Sequence, residues 1–262
     1  MNMKISTLYS QYIYNKEYKN QNIPKFGHHP DLELMLNERN SPVMVSRWFR
    51  RGYECFKPGE YFPDVVKVFN NIFKETEKQI KMLIVGVANS EEPFSYLSVI
   101  KQIIKNKKIE DSVDLHIIDL QSKPDRCKLY KDSYYTMDEI PNYAKESFIY
   151  DQCTKMSSFN YRIKDELFEF LYNTYNDTTK SKWETRAQEA IKKYPSNYFD
   201  IISINNVACY MKAADLQITG DNIYRTLIPN GYIIEESGIY AQTCKDADNF
   251  EHIDLGINRK IK

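Results

Sequence analysis

Two groups of residues have types and positions suited to binding a ligand. The run G-V-A-N-S-E-E-P at residues 86–93 follows an apolar stretch, and its small residues allow the backbone to approach a ligand closely. Asp119 ends a second apolar stretch, where a carboxylate can accept both hydroxyls of a ribose or, alternatively, cap the following turn. Glu91 and Glu92 can hold a ligand ammonium group, or they simply complement the dipole of a helix that begins there.

The glycine pattern limits the class of ligand. The run at residues 86–93 contains only Gly86, so a pyrophosphate-binding G-x-G-x-x-G motif is missing, and nothing resembles a Walker loop. Dinucleotides and nucleoside triphosphates are therefore disfavoured. The sequence thus offers a carboxylate for a ribose and carboxylates for an ammonium group, but no phosphate-binding loop. A ligand made of adenosine joined to an amino acid fits this set, and S-adenosylmethionine is such a ligand.

Residues 86–93 and Asp119 can bind one ligand only if the fold brings the ends of their strands to the same edge of a sheet. Short apolar runs alternate with amphipathic stretches such as residues 93–105, which is typical of an α/β, doubly wound, mostly parallel sheet. The predicted strands are residues 82–86, 113–120, 147–151, 199–204 and 231–235. In such a sheet the ligand lies across the carboxyl ends of the strands, where the strand order reverses.

The chain divides into two predicted regions. Residues 1–75 contain no strand-like run and are broken by prolines, which indicates a helical and loop-rich cap. Residues 76–262 carry the predicted sheet. Within them, the long connection at 121–146 and the helical stretch at 161–194 are candidates for specificity, and the tail after Gly238 forms either a final strand pair or a loose end.

Composition narrows the function classes. The 262 residues are 42% hydrophobic and 14% aromatic, as in a globular protein, and 36 basic residues balance 36 acidic ones, which disfavours a nucleic-acid partner. Five widely spaced cysteines without a C-x-x-C pair disfavour a metal site or a disulfide framework. The longest apolar run is too short to cross a bilayer, so we expect a cytoplasmic protein without a membrane partner.

Three motifs resemble those of CheR-type methyltransferases, a branch of the class I S-adenosylmethionine-dependent methyltransferases with a Rossmann-like fold. Residues 82–95, M-L-I-V-G-V-A-N-S-E-E-P-F-S, are similar to the family's G-C-A-x-G-E-E-P-Y-S. Residues 199–211, F-D-I-I-S-I-N-N-V-A-C-Y-M, are similar to F-D-x-I-x-C-R-N-V-x-I-Y-F, and residues 227–234, L-I-P-N-G-Y-I-I, to L-x-P-G-G-x-L. The order and spacing of the three motifs match the family over residues 61–237.

The resemblance implies S-adenosylmethionine as cofactor and a protein side chain or small molecule as methyl acceptor. It also implies roles for individual positions. Gly86, Ala88 and Glu91 would line the methionine end, Asp119 would bind the ribose, Gln152 would lie near the adenine just past the third strand, and Asn206 and Tyr210 would flank the sulfonium. Tyr210 can equally be a core aromatic residue.

An arginine ahead of the first strand is also implied, in a motif like T-x-F-F-R. Arg50 ends the matching run S-R-W-F-R, although Lys57 lies closer to the family's spacing. An arginine-rich helix can instead be a solvated face.

Departures from the motifs leave a second hypothesis open. Ser90 replaces a glycine, Asn205 an arginine and Asn230 a glycine, although asparagine tolerates the left-handed backbone that such a turn needs. The first hypothesis is an active methyltransferase, whose acceptor lies between the cap and residues 121–146. The alternative is a catalytically inactive methyltransferase fold that serves as a binding or scaffold protein.

Overall fold

The computed structural model describes residues 62–87, 91–120, 135–136, 152–155, 160–205, 207–235, 238–254 and 256–262. The helices are α1 (Phe62–Glu75), α2 (Glu91–Ile104), α3 (Ile109–Ser112), α4 (Asp165–Asn176), α5 (Ala187–Lys192), α6 (Ala213–Thr226) and α7 (Ile239–Thr243). The strands are β1 (Ile80–Val85), β2 (Val113–Asp119), β3 (Tyr135–Thr136), β4 (Cys153–Lys155), β5 (Asn160–Ile163), β6 (Ser181–Trp183), β7 (Phe199–Ile204), β8 (Leu227–Glu235), β9 (Phe250–Asp254) and β10 (Ile257–Lys260). Short 3₁₀ turns cover Ala208–Tyr210 and Ala247–Asn249.

A seven-stranded sheet in the order β6-β2-β1-β7-β8-β10-β9 forms the centre of the fold. The first five strands in that order pair in parallel, and β10 lies antiparallel between β8 and β9. The chain moves outward from β1 to β2 and β6, then crosses back to β7 and β8, so the order reverses between β1 and β7. This confirms the predicted α/β, doubly wound, mostly parallel sheet with a Rossmann-like reversal of strand order.

The central strands form because their residues are apolar on both faces. All six residues of β7 are buried, and in β1 only Lys81 is partly exposed. One face packs under α1, α2 and α4, with Phe69 and Leu97 in its core, and the other packs under α5, α6 and α7, with Ile191 and Ile223. Each fully buried aliphatic side chain contributes roughly 1.5–3 kcal/mol, so this double burial fixes the register of the sheet.

The helix after β1 begins slightly earlier than predicted. The sequence predicts a helix at residues 93–105, and α2 covers Glu91–Ile104, with Pro93 in its first turn, where a missing N–H has no cost. Lys105 follows with a left-handed φ of 51°, which ends the helix. The predicted left-handed asparagine in β8 is also found, because Asn230 has a φ of 65°.

The strand predicted at residues 147–151 lies outside the described residues, so it stays a prediction. The strand that pairs with the outer edge of β2 is β6, which was not predicted. The predicted helical stretch at 161–194 is divided into β5, α4, β6 and α5. The sequence S-K-W of β6 is three residues long and mostly polar, so it carries no apolar run from which a strand could be predicted.

A second, smaller sheet is formed by β3, β5 and β4 in that order, with antiparallel pairing. The division of the chain at residues 75 and 76 stays a prediction, because the residues before Phe62 lie outside the described part. Across the described ranges, no helix is both long and apolar enough to span a membrane.

The tail after Gly238 forms the strand pair that was one of its two predicted states. Lys260 on β10 is 4% exposed, and its Nζ donates to Leu227 O at 2.7 Å, Tyr224 O at 2.9 Å and Asn197 Oδ1 at 3.1 Å. The same Nζ lies 4.4 Å from the ring centroid of Tyr224. Burial lowers the pKa of Lys260, and its three acceptors join β10 to the end of α6 and the start of β8.

Replacing Lys260 should therefore weaken the fold. We expect Lys260→Ala to lower the free energy of unfolding by roughly 2–4 kcal/mol, because it leaves buried oxygens without a donor. Lys245→Ala is the matched control, since that side chain is 74% exposed and should matter by less than about 0.5 kcal/mol. Urea unfolding monitored by circular dichroism measures both, and equal stabilities of the two variants would contradict this role.

Candidate functional site

The carboxyl ends of three strands meet around Gly86. This residue follows β1 with a φ of 83°, and its N–H donates to Ile118 O at 2.8 Å. A Cβ built on Gly86 would lie 2.7 Å from Val207 Cγ2 and 3.6 Å from Leu120 Cδ1. Val207 follows β7 and Leu120 follows β2, so the chain closes tightly around Gly86 at the reversal of strand order. Only glycine combines this backbone angle with this close approach.

Asp119 lies at the carboxyl end of β2, one strand out from Gly86. It is 1% exposed and pairs in register with Trp183 of β6. Its carbonyl oxygen accepts a hydrogen bond from the N–H of Glu184 at 3.0 Å. The backbone of Asp119 is therefore fixed by the strand beside it, and the carboxylate is held at the edge where open α/β sheets bind ligands.

A buried polar network fastens α2 to β7. Glu92 Oε1 accepts hydrogen bonds from Ser203 Oγ at 2.5 Å and from Asn205 Nδ2 at 2.9 Å. The hydroxyl of Tyr96 lies 3.0 Å from Ser203 Oγ, and its pKa is raised well above its usual value by burial and by the nearby charge of Glu92. Glu92 is thus hydrogen-bonded to side chains of the protein itself. Of the two glutamates predicted to bind a ligand ammonium group, Glu91 is therefore the one that stays a candidate.

Asn205, which stands where the resemblance has an arginine, belongs to this network. The side chain is 2% exposed, and its Nδ2 also donates to Ser203 Oγ at 3.0 Å. Its Oδ1 is buried and has no hydrogen-bond partner among the residues that the structure describes. The position therefore supplies a neutral amide to Glu92 instead of a fixed positive charge.

The chain after β7 brings Tyr210 to the same edge of the sheet. After Val207 has packed against Gly86, residues Ala208–Tyr210 form a 3₁₀ turn in which the Tyr210 N–H donates to Val207 O at 3.1 Å. Tyr210 is half-buried. The turn ties the backbone of Tyr210 to the residue in contact with Gly86, and its side chain remains partly accessible.

Glu235 is a buried carboxyl group at the carboxyl end of β8 that the sequence did not single out. It accepts hydrogen bonds from Tyr240 N at 2.6 Å, Asn258 Nδ2 at 3.1 Å and Ala241 N at 3.2 Å. Burial raises its pKa to about 7, although these three donors act in the opposite direction. Glu235 therefore holds the start of α7 and the strand β10 together, and we assign it a structural role.

Several predicted site residues lie outside the described part of the chain. These are Arg50, its alternative Lys57, Ala88 and Asn206. Glu91 begins α2, and only its backbone is described. Gly86, Asp119 and Tyr210 are the predicted residues whose positions at the carboxyl edge can be compared directly.

Gln152 as the residue near the adenine stays a prediction, because the strand predicted before it at residues 147–151 lies outside the described part. Gln152 precedes β4 of the small sheet, and its carbonyl oxygen accepts from Lys164 N at 3.0 Å. At the outer edge of β2, Trp183 ends β6 and Glu184 follows it. Sequence reasoning missed both, and the only signal for them is a tryptophan between polar residues.

Comparisons with known proteins return similar structures at low identity. No family model matches the chain, and no curated protein matches it. Phosphoethanolamine N-methyltransferase 2 of Haemonchus contortus, solved with phosphomonomethylethanolamine and S-adenosylhomocysteine, is 14% identical over 68% of this chain and 28% of its own, with a TM-score of 0.32.

Two further solved structures show the same level of similarity. A SAM-dependent methyltransferase from Archaeoglobus fulgidus is 12% identical over 64% of this chain and 49% of its own, with a TM-score of 0.31. MNMC2 from Aquifex aeolicus is 14% identical over 76% of this chain and 57% of its own, with a TM-score of 0.42. The fold assignment accordingly rests on the strand order of this chain.

The packing around Gly86 gives a test. We expect Gly86→Ala to lower the free energy of unfolding by at least about 1–2 kcal/mol, because alanine is strained at positive φ and its Cβ would overlap Val207. Gly238→Ala is a matched control, since Gly238 also has positive φ, at 69°, but a Cβ there meets first the flexible end of Gln242. Chemical unfolding measures both variants. A loss at Gly86 no greater than at Gly238 would contradict a close approach by Val207.

Proposed function

We propose that the protein is an S-adenosylmethionine-dependent methyltransferase. The observation that carries the proposal is the placement of Gly86 and Asp119 at the carboxyl ends of adjacent strands, beside the reversal of strand order, in a sheet with the class I methyltransferase order. A carboxylate for ribose hydroxyls beside a tight backbone turn, without a glycine-rich phosphate loop, suits a nucleoside that carries an amino acid.

The cofactor assignments follow the strand ends. The backbone at Gly86, together with Ala88 and Glu91, would hold the methionine end. Asp119 would accept the ribose hydroxyls, and Asn206 and Tyr210 would lie near the sulfonium.

In methyl transfer from S-adenosylmethionine, the main task of the protein is to align the acceptor with the methyl group. S-adenosylmethionine supplies a methyl group that is already activated, so catalysis depends on holding the acceptor in line with the sulfur–carbon bond and excluding water. Tyr210 is the residue that we propose beside the transferred methyl group, and Arg50 the one that we propose to orient the acceptor. A carboxylate acceptor needs no general base at neutral pH, whereas a hydroxyl or an amine does.

For the acceptor, we propose a CheR-like reaction on a protein side chain or a small molecule. The three motifs at residues 82–95, 199–211 and 227–234 support this class. Asn205 argues against the same acceptor as in CheR-type enzymes, because its amide donates to Glu92 and supplies no positive charge at a position where those enzymes have an arginine.

A second candidate function is ligand binding without methyl transfer. The observation that favours it is the same neutral Asn205 in place of an arginine, since a fixed charge beside the reaction site has been lost. The two candidates differ in turnover and share the cofactor site.

Cofactor binding gives the first test. S-adenosylhomocysteine at a hundred times its dissociation constant should stabilise the protein by about 2.7 kcal/mol and raise the unfolding temperature by several degrees. NAD and ATP should have no such effect.

Asp119→Asn should weaken S-adenosylhomocysteine binding by roughly tenfold or more, because a charge-assisted hydrogen bond to the ribose is lost.

The matched control is Asp177→Asn, a substitution of the same type in the exposed turn after α4. It should bind S-adenosylhomocysteine like the unchanged protein. If the nucleoside does not shift the unfolding temperature at saturating concentration, or if Asp119→Asn binds it equally well, the proposed cofactor site is wrong.

Methyl transfer separates the two candidate functions. Protein and metabolite pools from the native host are incubated with the enzyme and methyl-labelled S-adenosylmethionine. The first candidate predicts labelled products, and it predicts that Tyr210→Phe lowers the rate by roughly tenfold or more while S-adenosylhomocysteine affinity stays constant. Binding of the nucleoside without any labelled product in these pools would favour the second candidate.

A further inference from the structure

One buried hydrogen bond joins the chain neighbours of two proposed cofactor contacts. Glu92 follows Glu91 in the first turn of α2, and Asn205 precedes Asn206 at the end of β7. The Nδ2 of Asn205 donates to Glu92 Oε1 at 2.9 Å. The spacing between the segment proposed for the methionine end and the segment proposed for the sulfonium therefore depends on this bond.

The bond lies at the reversal of strand order. Val85 of β1 and Ile204 of β7 are register partners. Gly86 and Asn205 are the next residues of these two strands, so they leave the sheet at the same edge. Asn205 points to the same side as Ser203, because alternate residues of a strand share a face, and that side is covered by α2. The bond is therefore at the edge where open α/β sheets bind ligands.

The partners of Glu92 fix the direction in which the Asn205 amide points. A carboxylate only accepts hydrogen bonds, so Ser203 donates its O–H and Asn205 donates one N–H to Glu92. The Asn205 Nδ2 also lies 3.0 Å from Ser203 Oγ and 3.4 Å from the hydroxyl of Tyr96, and both oxygens can accept. Rotating the amide by half a turn would place its oxygen against the carboxylate. The network therefore holds Asn205 in one orientation.

Burial makes this arrangement depend on each of its partners. The side chains of Glu92, Tyr96, Ser203 and Asn205 are each at most 7% exposed. Because water cannot replace a lost partner here, removing a donor or adding a second charge leaves a buried group unsatisfied. The amide is also particular to this chain, since the resemblance has an arginine at this position.

We propose that Glu92 and Asn205 are a positioning pair that sets the amino-acid end of the cofactor site. The proposal rests on the proposed function and adds to it two residues that act without touching the ligand. Glu92 acts through Glu91, and Asn205 acts through Asn206. The pair should therefore matter for a ligand that carries an amino-acid chain, and much less for the nucleoside part, which we assign to Asp119.

The experiment breaks the pair and then restores it. Asn205→Asp places a second carboxylate against Glu92, and it should weaken S-adenosylhomocysteine binding roughly tenfold or more in calorimetry. Glu92→Gln alone should weaken binding less, because an amide oxygen can still accept from Asn205. Combined with Asn205→Asp, Glu92→Gln supplies an amide donor to the new carboxylate, so the double variant should recover most of the lost affinity.

Two comparisons separate positioning from a general loss of stability. Adenosine lacks the amino-acid chain, so its affinity should stay the same in Asn205→Asp. Lys260→Ala removes a buried donor on β10 and should lower the unfolding temperature while S-adenosylhomocysteine binds normally. If circular dichroism shows that Asn205→Asp does not fold, Asn205→Ala removes the same donor without adding a charge, and it should also weaken S-adenosylhomocysteine binding roughly tenfold.

The outcomes distinguish this inference from the proposed function. If the unchanged protein binds S-adenosylhomocysteine and the Asn205 variants bind it equally well, the positioning role is wrong and the cofactor site stands. The role is also wrong if Glu92→Gln does not improve binding by Asn205→Asp, or if adenosine loses affinity to the same extent. If the unchanged protein binds neither S-adenosylhomocysteine nor adenosine, both the function and the positioning role are wrong.

Discussion

The contact between Gly86 and Val207 is the constraint on which the carboxyl edge of the sheet depends. Strand β1 lies between β2 and β7, and the chain leaves β7 directly across the backbone of Gly86. Any side chain at this position would displace the segment after β7. The segment carries Tyr210. The geometry of the proposed site is therefore set by the absence of a side chain at one residue.

The carboxylates at this edge have two different roles: some hold elements of the fold together, and one is proposed to bind the ligand. Glu92 joins α2 to β7 through Ser203 and Asn205, and Glu235 joins α7 to β10. Buried charges are costly unless they are hydrogen-bonded, so these two groups stabilise the walls of the site only because their donors are in place. Asp119 ends β2, one strand out from the reversal between β1 and β7, and it is the carboxylate that we assign to the ligand.

The central strands could be predicted because they are buried on both faces. Strands β1, β2 and β7 appear in the sequence as mostly apolar runs, so the residues at their carboxyl ends, Gly86 and Asp119 among them, could be assigned to the correct edge of the sheet. Strand β6 could not be predicted, because its three residues form a strand only through their pairing with β2, which no local sequence pattern indicates. For the same reason, the sequence did not indicate that Trp183 and Glu184 lie beside Asp119.

The polar network at Glu92 was also beyond sequence reasoning. Glu92 and Asn205 are separated by 113 positions, and neither residue type indicates that the two side chains meet. The motifs drew attention to both positions, but they indicated an ammonium ligand for the first and a lost charge at the second. The hydrogen bond between them shows that both side chains are engaged within the protein itself.

The most direct test of the account is a crystal structure of the protein with S-adenosylhomocysteine. Electron density is expected across the carboxyl ends of β1 and β2, with the ribose hydroxyls on the Asp119 carboxylate and the amino-acid chain beside Gly86. Nucleoside density at another place, or an empty carboxyl edge in crystals grown at saturating ligand, would contradict it.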